Sequence, residues 1–332
     1  MTTQKVAVIG GGAMGTACAL VLSHQANVSV GLWVRNPTFA RHIAETRENS
    51  RLLPSVRLPD CVTVSSDAAQ ILSGAAFVVV CVPTRGLRDA LGTLHPLIPN
   101  DALLVSAVKG IEIDTLRRPS EILTEVLGTR PVVVFGGPCH AEEVARRFPA
   151  SVVAASDCAD SAVRVQELFS TDFLRVYTNS DQSGVELAGA LKNVIAIAAG
   201  ICDGLQFGDN AKAALMTRGL AEMTRFGRDM GARVATFSGL AGIGDLVTTC
   251  YSRHSRNRNV GELLGRGQTL DEIQASTHAV AEGVFTARSV TDLAAGRGIE
   301  LPIAEEVRQV LFDGKSPAQA TEDLMKRPLK EE

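Results

Sequence analysis

Residues 6–15 read VAVIGGGAMG, an apolar run too short for a helix that leads directly into a glycine-rich turn. Gly10, Gly12 and Gly15 satisfy the pattern G-x-G-x-x-G. In dinucleotide-binding folds the first glycine permits the tight turn, the second lets the backbone approach a pyrophosphate, and the third lets the following helix pack closely on the sheet. The stretch therefore predicts a strand, a phosphate-binding turn and a helix.

The surrounding sequence favours this interpretation, because an isolated match to the glycine pattern is a weak signal. A helix is predicted over Ala13–His24, with its unpaired amide groups and positive dipole end directed at the pyrophosphate. Val28–Val34 is rich in β-forming residues and is predicted to be the second strand of a βαβ unit. The residues expected to bind the cofactor here are Gly10, Gly12, Ala13, Met14 and Gly15.

The end of the second predicted strand indicates the cofactor. An NAD-specific site usually has Asp or Glu there to hydrogen-bond the ribose 2′-hydroxyl, but this chain has Arg35. A guanidinium group can hold a 2′-phosphate, which favours NADP(H), with NAD(H) also possible. The alternative is that Arg35 is a solvated surface residue.

Length and composition exclude several classes of protein. A chain of 332 residues predicts about two domains, and its contents of 45% hydrophobic and 21% charged residues are those of a globular protein. The net charge of −3 argues against binding to nucleic acid. The seven cysteines form no C-x-x-C pair, so we expect reduced thiols. His140, His254 and His278 are isolated from one another and from any cysteine pair at ligand spacing, so we expect no metal site.

We expect a cytoplasmic protein with no membrane span. The first predicted strand begins a few residues after Met1, which leaves no room for a signal peptide. The segment Val185–Ile201 is apolar enough to suggest a span, but Glu186, Lys192 and Asn193 interrupt it. Because charges at the centre of a bilayer are costly, a buried helix of a soluble domain is the better interpretation.

The spacing of apolar runs predicts an α/β protein with two domains. Five further runs are interpreted as parallel strands buried on both faces: Ala76–Val82, Ala102–Val108, Val132–Phe135, Val152–Ala155 and Phe173–Tyr177. Helix-like stretches such as Gly86–Ile98 and Ser120–Leu127 alternate with them. From Asp181 onward the spacing is helical, as in Ala211–Met230. We expect a Rossmann-like doubly wound sheet domain over residues 1–180 and an all-α substrate-binding domain over residues 181–332.

The predicted strand ends carry candidate substrate-binding residues. Ligands of open α/β sheets bind beyond the carboxyl ends of the strands, and two of these ends lead into Lys109 and into the turn Gly136–Ala141. A lysine beside an extended glycine turn favours a small anionic substrate. The alternative is that Lys109 is a solvated loop residue.

The helical region contains a candidate proton donor. Lys192 and Asn193 interrupt an otherwise apolar helix, and a buried ammonium group is costly, so Lys192 must reach solvent or have a specific role. If this helix lines the substrate site, Lys192 can supply a proton to a carbonyl as a hydride arrives, and Asn193 can hydrogen-bond the same group. The alternative is that the lysine snorkels to solvent.

Two later segments complete the candidate site. Gly239–Leu246 is interpreted as a flexible turn that positions Asp245 to pair with Lys192, although an Asp after glycine is also typical of a helix N-cap. Ser252–Asn259 concentrates arginines with hydroxyl and amide donors, a combination that suits a phosphate group. A solvated basic loop is the alternative.

With these segments located, the chain resembles the bacterial glycerol-3-phosphate dehydrogenase [NAD(P)+] family over nearly its whole length. The most specific stretch is GALKNVIAI, residues 189–197. The other matching segments are Leu53–Pro54, Val108–Gly110, Arg218–Met223, Gly242–Leu246, Ser255–Asn257 and Pro302–Ile303. The resemblance implies a cytoplasmic, dimeric enzyme that reversibly reduces dihydroxyacetone phosphate to sn-glycerol 3-phosphate for phospholipid synthesis.

The resemblance also implies roles for individual residues. Lys192 is implied as the proton donor or acceptor at the C2 oxygen, and Lys109 as a contact of both cofactor and substrate. The residues implied around the substrate or its phosphate are Gly137, Cys139, Asn193, Asp245, Ser255, Arg256 and Asn257. Those implied at the cofactor are Ala141, Arg256, Val280 and Glu282. Cys139 is a departure, since many relatives have Ser or Thr there, and a thiol is a poorer hydrogen-bond donor.

Two other functions are compatible with the residues alone. One is another two-domain NADP-dependent reductase, of a 3-hydroxyacid or of ketopantoate type, although a carboxylate substrate does not require so many donors around Arg256. The other is a non-catalytic NADP(H)-binding redox sensor, against which Lys192 argues because a sensor needs no buried proton donor.

Overall fold

The computed structural model describes residues 3–276, 281–329 and 331. The chain divides into two compact units, one formed by residues 1–109 and 118–186 and the other by residues 110–117 and 187–332. The long helix that begins at Gln182 starts in the first unit and continues in the second.

The first unit contains the strands. They are β1 Gln4–Ile9, β2 Val28–Trp33, β3 Glu48–Asn49, β4 Leu53–Arg57, β5 Val62–Ser65, β6 Phe77–Val80, β7 Leu103–Ser106, β8 Val132–Gly136, β9 Ala150–Ala155 and β10 Leu174–Asn179. The helices between them are α1 Ala13–Leu22, α2 Pro37–Thr46, α3 Ala68–Leu72, α4 Leu87–Leu94, α5 Pro119–Leu127, α6 Ala141–Val144 and α7 Ala159–Phe169. The Rossmann-like α/β class expected from the sequence is confirmed.

The sheet has the strand order of a doubly wound fold. In the described part of the chain, eight strands form one sheet in the order β10-β9-β8-β7-β6-β1-β2-β5. The six strands from β8 to β5 are parallel. The order reverses between β1 and β6, and such a switch point is where these folds bind ligands, at the carboxyl ends of the strands. Strands β1, β6, β7 and β8 lead there into the glycine turn, Thr84, Lys109 and Gly137.

The expectation that all these strands run parallel is wrong for β9 and β10. Strand β9 pairs antiparallel with β8, and β10 runs parallel to β9. The reason is the connection from β8 to β9, whose helix α6 has only four residues, because a parallel return needs a longer crossover. Strand β10 is also not buried on both faces, since Arg175 and Tyr177 are exposed at the sheet edge.

The second unit is helical, as expected for the carboxyl-terminal part of the chain. Its helices are α8 Gln182–Gly204, α9 Gly208–Asp229, α10 Val234–Phe237, α11 Asp245–Tyr251, α12 Arg256–Gly265, α13 Leu270–Ser276, α14 Glu282–Ala295, α15 Pro302–Phe312 and α16 Pro317–Met325. Residues 187–276 and 281–329 contain no strand. Helix α8 is long and apolar enough to cross a membrane, but its apolar window is entirely buried within the protein.

Close backbone packing fixes α8 against α12. A Cβ atom on Gly200 would lie 1.9 Å from the carbonyl oxygen of Arg258, and one on Gly261 would lie 1.9 Å from that of Ile197. Only glycine allows two helices to approach so closely. Because α8 carries Lys192 and α12 begins at Arg256, this contact sets the spacing between two parts of the candidate site.

A buried carboxyl group caps α15. Glu222 of α9 is 4% exposed and accepts a hydrogen bond of 2.7 Å from the backbone N–H of Ile303. Burial raises the pKa of its carboxyl from 4.5 to about 7, although these backbone hydrogen bonds and the charges of Arg225 and Arg327 act in the opposite direction. The folded protein therefore holds this proton to a higher pH than the unfolded chain does.

We predict that this carboxyl makes stability fall as pH rises from 4.5 to about 7. In that window the unfolded chain has released the proton and the folded protein has not, so the free energy of unfolding decreases with pH. The substitution Glu222→Gln should flatten this part of the profile, measured by urea unfolding at several pH values. The control is Glu167→Gln at an exposed position. Identical slopes in wild type and Glu222→Gln would contradict the prediction.

Candidate functional site

The glycine turn has the close backbone packing that its sequence predicts. Gly10 has a φ of +117°, and a Cβ atom there would lie 2.9 Å from the carbonyl oxygen of Cys81. A Cβ atom on Gly15 would lie 1.9 Å from the carbonyl oxygen of Gly10. Gly12 is the N-cap of α1, and no side chain caps this helix. The first amide groups of α1 are thus left to bind an anion.

The residues around this turn fit a dinucleotide. A Cβ atom on Gly12 would meet nothing within 4 Å, so the backbone is open to a ligand there. Thr84, just beyond β6, is 4% exposed, and its hydroxyl has no hydrogen-bond partner among the described residues. Backbone amides and a hydroxyl are donors suited to the phosphate and sugar groups of a nucleotide. Ala13 and Met14 are half-buried in the first turn of α1.

Arg35 follows β2 at the position expected for ribose recognition. It is exposed, and within the described ranges no ion pair or hydrogen bond holds its guanidinium group. The next residue, Asn36, accepts a hydrogen bond of 2.8 Å from the backbone N–H of Phe39 and so caps α2. Asn36 therefore has a structural role as the N-cap of α2. The role of Arg35 in binding a 2′-phosphate remains a prediction.

The structure brings Lys109, Gly137 and Cys139 together. The Lys109 Nζ atom lies 3.1 Å from the Gly137 carbonyl oxygen and 3.9 Å from the Cys139 Sγ atom. The thiol of Cys139 donates to the same Gly137 oxygen at 3.2 Å. Gly137 has a φ of +104°. Ala141, the first residue of α6, follows this turn and is buried. The cluster combines a cation with a glycine turn at the carboxyl ends of β7 and β8.

In the second unit, Lys192 is buried in a hydrogen-bonded ion pair. It is 4% exposed, and its Nζ atom donates to Asp245 Oδ1 at 2.6 Å and to Thr249 Oγ1 at 2.7 Å. The contact expected between Lys192 and Asp245 is present, and the lysine does not snorkel to solvent. A buried ammonium group is tolerable because the carboxylate compensates its charge. The two contacts also fix the direction in which the ammonium points.

The expectation of a flexible turn before Asp245 is wrong. Residues 240–244 form a π-helical segment that continues directly into α11, and Asp245 is the first residue of that helix rather than its N-cap. A Cβ atom on Gly242 would lie 2.0 Å from the carbonyl oxygen of Phe237. The glycines therefore permit close packing, which holds Asp245 in place.

Asn193 and Asn257 form a chain of amides. Asn257 Nδ2 donates to Asn193 Oδ1 at 2.9 Å, and Asn257 Oδ1 accepts from the backbone N–H of Gly283 at 2.9 Å. Asn193 Nδ2 also donates to the carbonyl oxygen of Gly189. The chain joins α8, α12 and the start of α14, where Glu282 stands. Its members brace one another, and whether Asn193 and Asn257 also contact substrate remains a prediction.

The basic segment after α11 is only partly a loop. Ser255 is the N-cap of α12, and its hydroxyl accepts from the backbone N–H of Arg258 at 3.2 Å. Arg256 is exposed, and no described residue forms an ion pair with it. Arg258 does not face this exposed turn, because Asp203 and Glu262 bind its guanidinium group at 2.6 Å and 3.0 Å. The predicted cluster of three arginines is therefore smaller than the sequence suggests.

Thr249 and Asp203 are functional candidates that the sequence analysis missed. Thr249 lies one helical turn after Asp245, and this spacing of four residues was a signal that the two side chains share a face of α11. Asp203 holds both Arg258 and the buried Lys212, at 2.6 and 2.8 Å. It links α8, α9 and α12, and no local pattern in the sequence indicates that link.

The remaining expectations concern the cofactor contact Val280, metal ligands and the cysteines. Val280, a candidate cofactor contact, lies outside the described residues. Among residues 3–276 and 281–329, no group of three or more His, Cys, Asp or Glu side chains is arranged to hold a metal ion. Each of the seven cysteines, all within the described ranges, is free.

The Lys192–Asp245 pair predicts a large effect on stability. Asp245→Asn leaves a buried ammonium without a counter-charge, and we expect it to lower the free energy of unfolding by about 3–5 kcal/mol, measured by denaturant unfolding. The control is Asp229→Asn, which breaks the more exposed Arg228–Asp229 pair and should cost less than about 1 kcal/mol. The double variant Lys192→Met/Asp245→Leu should lose less than Asp245→Asn. Equal effects in the buried and exposed pairs would contradict this account.

Comparisons with known proteins agree with this arrangement. Residues 5–162 match the family model of the NAD-dependent glycerol-3-phosphate dehydrogenase N-terminus, and residues 181–322 match that of its C-terminus. The chain is 49% identical to glycerol-3-phosphate dehydrogenase [NAD(P)+] of Chlorobium limicola, with 99% of each chain covered. It is 48% identical to the protein of the same name from Citrifermentans bemidjiense, again over 99% of both chains.

A solved structure extends the similarity to the fold. The crystal structure of glycerol-3-phosphate dehydrogenase from Coxiella burnetii superposes with a TM-score of 0.94 at 35% identity, covering 98% of this chain and 99% of that one. The two family models match most of the chain, and the relatives cover 99% of it. The chain therefore belongs to the NAD-dependent glycerol-3-phosphate dehydrogenase family.

Proposed function

We propose that this chain is a glycerol-3-phosphate dehydrogenase [NAD(P)+] that reversibly reduces dihydroxyacetone phosphate to sn-glycerol 3-phosphate and so feeds glycerophospholipid synthesis. The observation that carries the proposal is the buried Lys192, held by Asp245 and Thr249 in a chain that matches the family over its full length. We further propose that it acts as a cytoplasmic homodimer, as the family resemblance of its sequence implies.

The two domains expected from the sequence have separate tasks in this proposal. Residues 1–180 hold NADP(H) or NAD(H) through the glycine turn, Arg35, Lys109 and Ala141, and residues 181–332 bind the phosphorylated substrate and carry Lys192. The support for a cofactor in the first unit is the open backbone at Gly12 and the unsatisfied Thr84 hydroxyl, in the described part of the chain. Val280 and Glu282 are proposed as further cofactor contacts.

The residues of the second unit suit a phosphate ester. The N-terminus of α12 presents Ser255, Arg256 and Asn257, and a helix N-terminus favours an anion through its amide groups and dipole. The Ser255 hydroxyl accepts from its own helix and keeps a proton to donate. An exposed guanidinium group at Arg256 adds a charge-assisted donor. We assign the substrate phosphate to this turn.

The proposed chemistry is a proton transfer coupled to carbonyl reduction. The nicotinamide cofactor, when bound, supplies a hydride that adds to C2 of the ketone. Lys192 donates a proton to the C2 oxygen as the carbonyl π bond breaks, so the product is a secondary alcohol and the lysine is left neutral until solvent protonates it. Asp245 and Thr249 hold the ammonium in a fixed direction, which suits a general acid. In the reverse reaction Lys192 accepts the proton.

The two alternatives have less support. A reductase of 3-hydroxyacids or of ketopantoate needs no phosphate turn, and the close relatives carry the name glycerol-3-phosphate dehydrogenase [NAD(P)+]. A redox sensor needs no buried ion pair such as Lys192–Asp245.

The deciding experiment follows NADPH absorbance in the presence of dihydroxyacetone phosphate, ketopantoate or a 3-oxoacid. Oxidation of NADPH with either of the last two but not with dihydroxyacetone phosphate would overturn the proposal.

We predict that Lys192→Ala lowers kcat by about 10²–10⁴-fold while NADPH binding changes little, because the variant removes the proton donor and none of the proposed cofactor contacts. The measurements are steady-state turnover with dihydroxyacetone phosphate and NADPH binding by nucleotide fluorescence. The matched control is Lys212→Ala, since Lys212 is another buried lysine paired with a carboxylate in the same unit. If Lys192→Ala kept near-normal turnover, Lys192 would not be the proton donor.

We predict that Arg35→Asp changes the cofactor preference. Loss of the guanidinium group should weaken NADPH binding by about 10- to 100-fold, whereas NADH, which lacks the 2′-phosphate, should lose much less. Dissociation constants for both nucleotides measure the effect. Arg297→Asp, at an exposed position, makes the same change in net charge and serves as the control. An unchanged ratio of the two constants would remove Arg35 from ribose recognition.

A further inference from the structure

The hairpin β3–β4 places a fully buried amide behind the glycine turn. Asn49, in β3, has no exposed surface, and its Nδ2 atom donates to the carbonyl oxygen of Gly11 at 3.1 Å and to Thr16 Oγ1 at 2.8 Å. Thr16 is also fully buried, and its hydroxyl donates to the carbonyl oxygen of Gly12 at 2.9 Å. Two consecutive carbonyl groups of the turn are thus held from the interior.

The orientation of the Asn49 amide is determined by backbone partners. The N–H of Leu52 can only donate, and it lies 3.1 Å from Asn49 Oδ1. The carbonyl oxygen of Gly11 can only accept, so it must face Nδ2. The reversed amide would set donor against donor and acceptor against acceptor. Asn49 therefore cannot turn away from the glycine turn without losing contacts on both sides.

Holding a carbonyl inward directs the next amide outward. A trans peptide is planar, so the C=O of Gly11 and the N–H of Gly12 point in opposite directions. With the Gly11 oxygen bound by a fully buried side chain, the Gly12 N–H points away from the interior. The outer side is open, since a Cβ atom on Gly12 would meet nothing within 4 Å. Amides presented in this way are the groups that bind a pyrophosphate.

We infer that Asn49 is a positioning residue for cofactor binding, which acts by fixing the peptide planes of the glycine turn through Gly11 and through Thr16. This inference rests on the proposed function only in requiring that the turn binds NADPH. Among the described residues, the hairpin has no other polar side chain with full burial. One of its two buried apolar residues, Leu53, packs in the core, and its side chain forms no hydrogen bond to the turn. A substitution at Leu53 can therefore report the effect of lost stability, and a substitution at Asn49 the effect of lost hydrogen bonds to the turn, within the same hairpin.

The test compares three variants with the wild-type chain. Asn49→Asp keeps the size of the side chain but removes both N–H donations, and Thr16→Val removes the hydroxyl that relays to Gly12. Each should raise the dissociation constant for NADPH by about tenfold or more. At saturating NADPH, kcat and the KM for dihydroxyacetone phosphate should change less than about twofold, because the two residues act on cofactor affinity and the proposed function assigns the substrate phosphate to the turn of α12. Trp33, the only tryptophan of the chain, ends β2 and reports binding by fluorescence.

The control is Leu53→Ala, which opens a cavity in the same hairpin and lowers the unfolding temperature without touching the turn's hydrogen bonds. If Leu53→Ala weakened NADPH as much as Asn49→Asp at a similar loss of stability, Asn49 would be a structural residue and the inference would be wrong. Unchanged affinity in Asn49→Asp and Thr16→Val would also overturn it. Failure of the wild-type chain to bind NADPH would overturn both this inference and the proposed function.

Discussion

A buried charge must have a buried partner, and this constraint organises the helical unit. Lys192 lies in a long, apolar and buried helix, where an isolated ammonium group would be very unfavourable. Asp245 compensates the charge of Lys192, and the hydrogen bond to Thr249 fixes the direction of its ammonium group. Both partners are on α11. The π-helical segment leads directly into α11, and the close packing of Gly242 on the backbone of Phe237 holds the start of that helix in place. The contacts of Lys192 thus join α8 to α11.

The same logic applies to the glycine turn in the first unit. The groups available to bind an anion there are backbone amides, and these cannot change direction by rotating a side chain. They are directed instead by what binds the carbonyl groups on the other side of each peptide. Asn49 and Thr16 do this from the interior, and the tight contacts of Gly10 and Gly15 prevent the turn from relaxing. In both units, hydrogen bonds within the protein thus orient the polar groups of the candidate site in the absence of a ligand.

The sequence predicted the parts of the protein that local patterns determine. The strand before Gly10, helix α1 and the helical character of residues after 181 follow from periodicity and glycine spacing, and the family resemblance identified the candidate residues. Strand β9 was predicted but its antiparallel direction was not, because strand direction depends on the length of a crossover and on the sheet edge that it reaches. Asn49 and Asp203 were also missed, because each acts on residues distant in sequence. The π-helical segment before Asp245 was misjudged because glycines that serve flexibility and glycines that serve close packing look alike in a sequence.

The contact between α8 and α12 has a consequence for how this family of sites can vary. At Gly200 and Gly261 a backbone carbonyl of the neighbouring helix occupies the space that any side chain would need. A methyl group at either position would push the two helices apart and move Lys192 of α8 away from the turn at Arg256 of α12. Substitutions of side chains can therefore change what surrounds α8 and α12, but not the spacing between the two helices, because backbone atoms set that spacing.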